Sequence, residues 1–263
     1  MKIDKITIIG GIGKDGQPEK VETFNLKMGD IISIVGPTGC GKTTLINDEP
    51  IPDDFSFDPS KHPIALISQH TNFLSDLPVG EFLKIHAKIR GSENIELMIE
   101  ETLDFANQLT GEAIIKETSM TELSGGQTRS LLIADAVIIG NSPIILLDEI
   151  ENAGIHRTKA LKLLKKYEKI FVFVTHDPRI ALLSDFRIIM ANGAMQKIIT
   201  TNIEEKMAAI GLKKIDDVML EFRKLIRAGE EINDAVFSEQ FKDLALSYQV
   251  YINRKQSRET ELK

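Results

Sequence analysis

The chain has 263 residues, enough for one large core or two modest ones, and 42% apolar with 27% charged residues is the make-up of an ordinary globular protein. A formal net charge of −7 argues against a broad basic surface and so against nucleic acid as a non-specific partner. One cysteine, Cys40, excludes an internal disulfide and points to a reducing compartment, and with no apolar run near 18 residues any membrane association is expected to run through a partner.

In chain order, residues 3–9 and 21–26 read as two strands of a hairpin. Between them Gly11-Ile12-Gly13-Lys14-Asp15-Gly16 matches G-x-G-x-x-G, but Pro18 and a strand follow where a dinucleotide site needs a helix, so the segment reads as a turn. The apolar run Ile31 to Val35 then leads into Gly36-Pro37-Thr38-Gly39-Cys40-Gly41-Lys42-Thr43-Thr44, with a helix starting at Lys42. Strand, glycine-rich loop and helix start are the parts of a phosphate-binding loop. Its backbone amides and the positive end of the helix dipole converge on one phosphate. Lys42 suits the β- and γ-phosphates, and the Thr43 hydroxyl suits an octahedral Mg²⁺. Cys40 reads as a small space-filling residue in the loop. Asp48, Pro50 and Pro52 end the helix, and residues 48–63 form an acidic, proline-rich loop.

Ile64 to Ser68 reads as a strand ending at Gln69, followed by a helical region at about 79–117. Leu123-Ser124-Gly125-Gly126-Gln127 precedes another helix. Ile144 to Asp148 is apolar without alternation, a buried parallel strand whose C-terminal end carries Asp148 and Glu149. Ligands of parallel sheets bind at such ends. Asp148 suits a Mg²⁺ ligand, and Glu149 suits the polarisation of an attacking water. A basic helix at 156–169, its lysines read as a solvated face, leads to the strand 170–175 and His176. A helix, a strand and a turn at Asn192-Gly193 follow, and from about 202 the chain is amphipathic, charged and helical. The fold class is therefore α/β: a P-loop core with a mainly parallel sheet, N-terminal antiparallel strands and an inserted helical subdomain at about 70–140. Residues 1–200 are expected to form one domain around this core and 201–263 a helical tail.

Apart from the phosphate loop each motif is weak by itself; a lone glutamine or histidine at a strand end is more often structural. Their order, however, resembles the ATP-binding cassette (ABC) ATPases over roughly residues 1–200, with Leu123 to Gln127 in the place of that family's signature and Phe173-Val174-Thr175-His176-Asp177 similar to its histidine switch. The resemblance implies ATP and Mg²⁺ as ligands and a head-to-tail dimer, either a homodimer or a pair with a second cassette. Each nucleotide would lie between one phosphate loop and the partner's Ser124, Gly125, Gly126 and Gln127. Thr43, Gln69 and Asp148 would serve the metal, and Glu149, His176, Gln69 and Lys42 the chemistry. This chain departs from the family at three places. Only 27 positions separate Lys42 from Gln69, Ile12 stands where an aromatic ring often stacks on adenine, and Asp135 replaces an arginine of the signature helix.

Two clients remain open. The stretch after Gln69 resembles the segment of transporter cassettes that receives the membrane permease, which implies a groove lined by Phe73, Leu74, Leu77, Pro78, Val79 and Phe82, although the same spacing equally packs a helical core. A cytoplasmic chain held at the inner face of the membrane by its partner follows from that reading. The other client is a soluble protein or nucleic-acid complex, which the unusual residues 150–156 and the short subdomain favour.

Overall fold

The computed structural model describes residues 5–21, 23–42, 64–68, 76–149 and 157–242. Two compact units divide the chain, Met1–Thr201 and Asn202–Lys263.

In the first unit β1 (Lys5–Ile9) and β2 (Thr23–Lys27) pair antiparallel, with Ile9 opposite Thr23. A second sheet contains β3 (Ile31–Val35), β4 (Ile64–Ile67), β5 (Ile144–Asp148), β6 (Ile170–Val174), β7 (Phe186–Ala191) and β8 (Ala194–Thr200). Its order is β4-β5-β6-β3-β7-β8. Pairing is parallel except between β7 and β8, which the short turn at Asn192-Gly193 joins antiparallel.

Both faces of this sheet are covered, which is why its central strands lack polar alternation. Ile32, Ile34, Val172, Val174 and Met190 pack in one apolar cluster with Leu26 of β2. Ile31, Ile145, Leu147, Phe171 and Phe173 point the other way, into a cluster filled by helices. Burying a residue such as Phe173 contributes about 2–3 kcal/mol.

Those helices are α1 (Val79–Ile89), α2 (Ile95–Leu109), α3 (Gly125–Val137), α4 (Arg157–Leu164) and α5 (Pro178–Leu183). The helical region expected at 79–117 is thus two helices. Polar residues 90–94 interrupt the apolar stripe, and each helix buries its own face, Leu83 and Ala87 on one and Phe105, Ala106 and Leu109 on the other. The helix after the signature segment begins inside it, at Gly125, and is buried almost all round. The reading of the 156–169 lysines as a solvated face needs correction at Lys169; Lys162, Lys165 and Lys166 are exposed. Lys169 is buried and donates to Asn141 Oδ1 at 2.7 Å, and burial pushes its pKa down. Lys165 pairs with Asp185 at 3.0 Å.

In the second unit α6 (Ile203–Ala228) starts at a capping box formed by Asn202 and Glu205 and stops at Gly229. Residues 234–242 are helical, and Phe222, Phe237 and Phe241 cluster with ring centroids 4.8 to 6.1 Å apart. Among the described residues no helix is long and apolar enough to cross a membrane.

Candidate active site

The phosphate loop leaves the end of β3, and Lys42 closes it from within. Its buried Nζ donates to the carbonyls of Gly36 at 3.0 Å and Pro37 at 2.9 Å, which holds a positive charge inside the loop. The loop also rests on the β7–β8 end of the sheet. A Cβ added to Gly36 would lie 2.3 Å from the Met190 carbonyl oxygen, and the Gly193 N–H donates to the Cys40 carbonyl at 3.1 Å. Cys40 is buried in the same cluster as Ile32 and Val172, where it packs as a small apolar residue. Thr43 and Thr44 lie outside the described residues.

Strand register brings the other strand ends to this loop. Asp148 pairs with Val174, and Val174 pairs with Ile34, so Asp148 lies two strand spacings, about 10 Å, from the loop-bearing strand. One residue further, the Glu149 N–H donates to the Val174 carbonyl at 2.9 Å and the Thr175 N–H to the Ile34 carbonyl at 3.3 Å. Asp148 is buried. Glu149 Oε1 stands 3.4 Å from His176 Nε2. The segment carrying His176 is pinned on its far side. Thr175 Oγ1 accepts from the Asp177 N–H at 2.9 Å, and the Asp177 carboxylate caps α5 by accepting from the Arg179 N–H at 2.7 Å. Gln69 follows the described end of β4 and lies outside the described residues, as do Phe73 and Leu74. Of the expected groove, Val79 is core and Phe82 packs against it, while Leu77 is 38% exposed.

Ser124 and Gln127 form a capping box at the start of α3. Ser124 Oγ accepts from the Gln127 N–H at 3.3 Å, Gln127 Oε1 accepts from the Ser124 N–H at 2.9 Å, and Gln127 Nε2 donates to the Ala113 carbonyl at 3.1 Å. Gln127 is thus engaged at both ends of its amide, while the Gly125 and Gly126 amides and the hydroxyl proton of Ser124, whose Oγ only accepts in the cap, suit an anion at this end. Further along, Asp135 faces His86 of α1, whose Nδ1 lies 2.7 Å from Oδ1. Arg90 Nε lies 3.3 Å from the other ring nitrogen, so the imidazole bridges the two side chains. The arginine-to-aspartate change at 135 therefore has a histidine partner.

Motif reading misses Arg129. It is buried in the first turns of α3 and donates from Nη1 to the Glu149 carbonyl at 3.3 Å, a contact across 20 positions of sequence. A cation two positions after the signature segment is the one signal that marks it. Ile12, in the link between β1 and β2, is 75% exposed, whereas Phe24, the first aromatic residue, is stacked edge-on against Phe186 at 5.0 Å.

Known proteins match this arrangement. The family model for ABC transporters matches residues 20–152. The chain is 47% identical over 253 residues to an uncharacterized ABC transporter ATP-binding protein of Methanocaldococcus jannaschii, across 88% of this chain and 96% of that relative. It is 29% identical over 190 residues, 65% of this chain, to the spermidine/putrescine import ATP-binding protein PotA of Legionella pneumophila, of which it spans 51%. Among solved structures, a dimeric post-hydrolysis state of the ATP-binding cassette MJ0796 bound to ADP and Pi superposes with a TM-score of 0.56. Sequence identity is 25%, over 76% of this chain and 97% of that one. The cbiO1 protein of Clostridium perfringens, part of the ABC transporter complex cbiONQ, shares the fold with a TM-score of 0.56 and 21% identity, over 85% of this chain and 98% of that one. A phosphate loop, a carboxylate pair at a parallel-strand end and a capped signature helix, together with these likenesses, place the chain in the ABC transporter family as an ATP-hydrolysing, energy-coupling subunit.

Proposed function

We propose that two such cassettes close head-to-tail on two ATP molecules, and that Glu149 is the general base for the attacking water. The observation that carries this reading is the Glu149–His176 pair, 3.4 Å apart one register step beyond the row that contains Ile34 of the loop-bearing strand. Glu149 Oε accepts the proton of the water as it attacks the γ-phosphate in line, and His176 orients the same carboxylate and offers a hydrogen bond to the developing phosphate oxygens. Lys42 moves from the Gly36 and Pro37 carbonyls to the β- and γ-phosphates when nucleotide enters. The loop amides from Gly36 to Thr44 hold the remaining oxygens. From the partner cassette, Ser124 and the amides of Gly125 and Gly126 complete the cradle, with Gln127 holding the helix start in shape.

Asp148 fits a metal ligand: a buried carboxylate at the C-terminal end of β5, two strands from the strand that carries the loop. Mg²⁺ is typically bound through one or two carboxylates together with the phosphates of its nucleotide. Asp148, Thr43 and Gln69 would hold it, and it would neutralise charge on the β- and γ-oxygens. The domain spans 1–200. Its work is delivered to a membrane permease at the cytoplasmic face, with residues 201–263 as an appended helical unit.

The test is recovery of partners by tagged Glu149→Gln protein with ATP and Mg²⁺ from detergent-solubilised native membranes, beside the soluble fraction. Glu149→Gln is expected to keep ATP binding, lower turnover about 10²- to 10⁴-fold and accumulate as a dimer. A polytopic membrane protein recovered stoichiometrically, and lost with Leu77→Glu, is the expected partner. Normal turnover by Glu149→Gln removes Glu149 from the role of base, and soluble partners alone remove the permease.

A further inference from the structure

Among the described residues three non-glycine residues have positive φ: Asn141, Asn192 and Glu149. Asparagine tolerates the left-handed region; glutamate at φ 47° does so only when its surroundings hold it there. The hold is visible on both sides of the residue. Its N–H is bonded to the Val174 carbonyl at 2.9 Å, and its carbonyl accepts from Arg129 Nη1 at 3.3 Å. Val174 is the neighbouring strand and belongs to the rigid sheet. Arg129 belongs to α3, five positions beyond the capping Ser124, about 7.5 Å along the helix axis. Pinned in this way, the carboxylate of Glu149 faces His176.

We propose that Arg129 is a positioning residue that keeps Glu149 in its left-handed conformation and so ties the geometry of the base to the helix whose N-terminus meets the partner's nucleotide. The proposal rests on Glu149 being the base. Without the guanidinium, the Glu149 carbonyl loses this tether and the residue relaxes toward ordinary backbone angles, swinging its carboxylate away from His176 and the water. Because Arg129 is buried and donates to a backbone carbonyl, its effect falls on the chemical step and leaves the phosphate loop untouched. Through α3, the segment that senses one nucleotide also carries the anchor of the base that acts on the other.

The experiment uses the full chain with ATP and Mg²⁺ and compares Arg129→Met and Arg129→Lys, each alone and on Glu149→Gln. Arg129→Met is expected to lower kcat about 30-fold, the size of effect of a misplaced reacting group, with KM and ATP affinity within about two-fold of wild type. Arg129→Lys, which keeps a donor, is expected to recover part of kcat. On Glu149→Gln, the slow residual hydrolysis is expected to show no further loss with Arg129→Met, because the group being positioned is already gone. Any of three results overturns the proposal: unchanged kcat, a loss confined to KM, or an equal further loss on Glu149→Gln. Melting temperature and ATP affinity report folding, and if Arg129→Met fails to fold, a folded Arg129→Ala with wild-type kcat overturns it instead. An inactive Glu149→Gln beside a fully active Arg129→Met sinks only the positioning role, whereas an active Glu149→Gln sinks the base.

Discussion

Gly36→Ala tests how closely the phosphate loop is seated on the sheet. Its new Cβ would lie 2.3 Å from the Met190 carbonyl oxygen and 2.7 Å from Cys40 Sγ, whereas real Cβ contacts essentially never fall under 3.0 Å. The loop, or Met190 beside the irregularity in the β7–β8 register, must therefore give by at least 3.0 − 2.3 = 0.7 Å. Overpacking of this kind costs about 1–3 kcal/mol, which for a unit of this size lowers the melting temperature by about 3–10 °C. A displacement approaching 1 Å also moves the carbonyls that seat Lys42, so kcat/KM for ATP should fall about 100-fold. Gly39→Ala is the comparator. Its Cβ meets nothing within 4 Å, and its cost is the left-handed φ of 77° alone, about 1 kcal/mol. Calorimetric melting of the two variants, with ATP titration and steady-state turnover, decides the matter. Wild-type melting and turnover in Gly36→Ala, or a larger loss of stability in Gly39→Ala, would refute the close-approach argument.

Lys42→Ala removes the charge inside the loop, and ATP affinity measured by isothermal titration is expected to fall about 10- to 100-fold, the worth of a charge-assisted contact. Unchanged affinity would contradict the phosphate-loop assignment. For Lys169, burial holds the ammonium below its ordinary value of 10.5, so just below that value the folded state binds fewer protons than the unfolded chain and wild-type stability rises with pH. Lys169→Met should abolish that rise. Urea midpoints of both proteins followed from about pH 8 to 10.4 test it, and parallel profiles would rule out the buried-ammonium account.

What the sequence determined by itself is what depends on near neighbours in the chain. Gly36 to Thr44 is legible because strand, turn and helix start are set by local backbone angles and local hydrogen bonds, and the helix that accompanies Leu123 to Gln127 is legible for the same reason, although not its start at Gly125. The apolar run Ile144 to Leu147 announces a strand covered on both faces. Tertiary structure alone decided the rest, because it depends on packing between segments far apart in the chain. The order β5-β6-β3 sets Asp148 two strands from the phosphate loop, and no local pattern contains that distance. Val79 reads equally well as groove or core until the helical cluster encloses it, and Lys169 reads as a surface lysine until Asn141 meets it from 28 positions away. The Arg129–Glu149 contact is the same kind of fact. An arginine in a helix and a glutamate after a strand carry no mark of each other, and only the packing of α3 against the sheet edge makes one the anchor of the other.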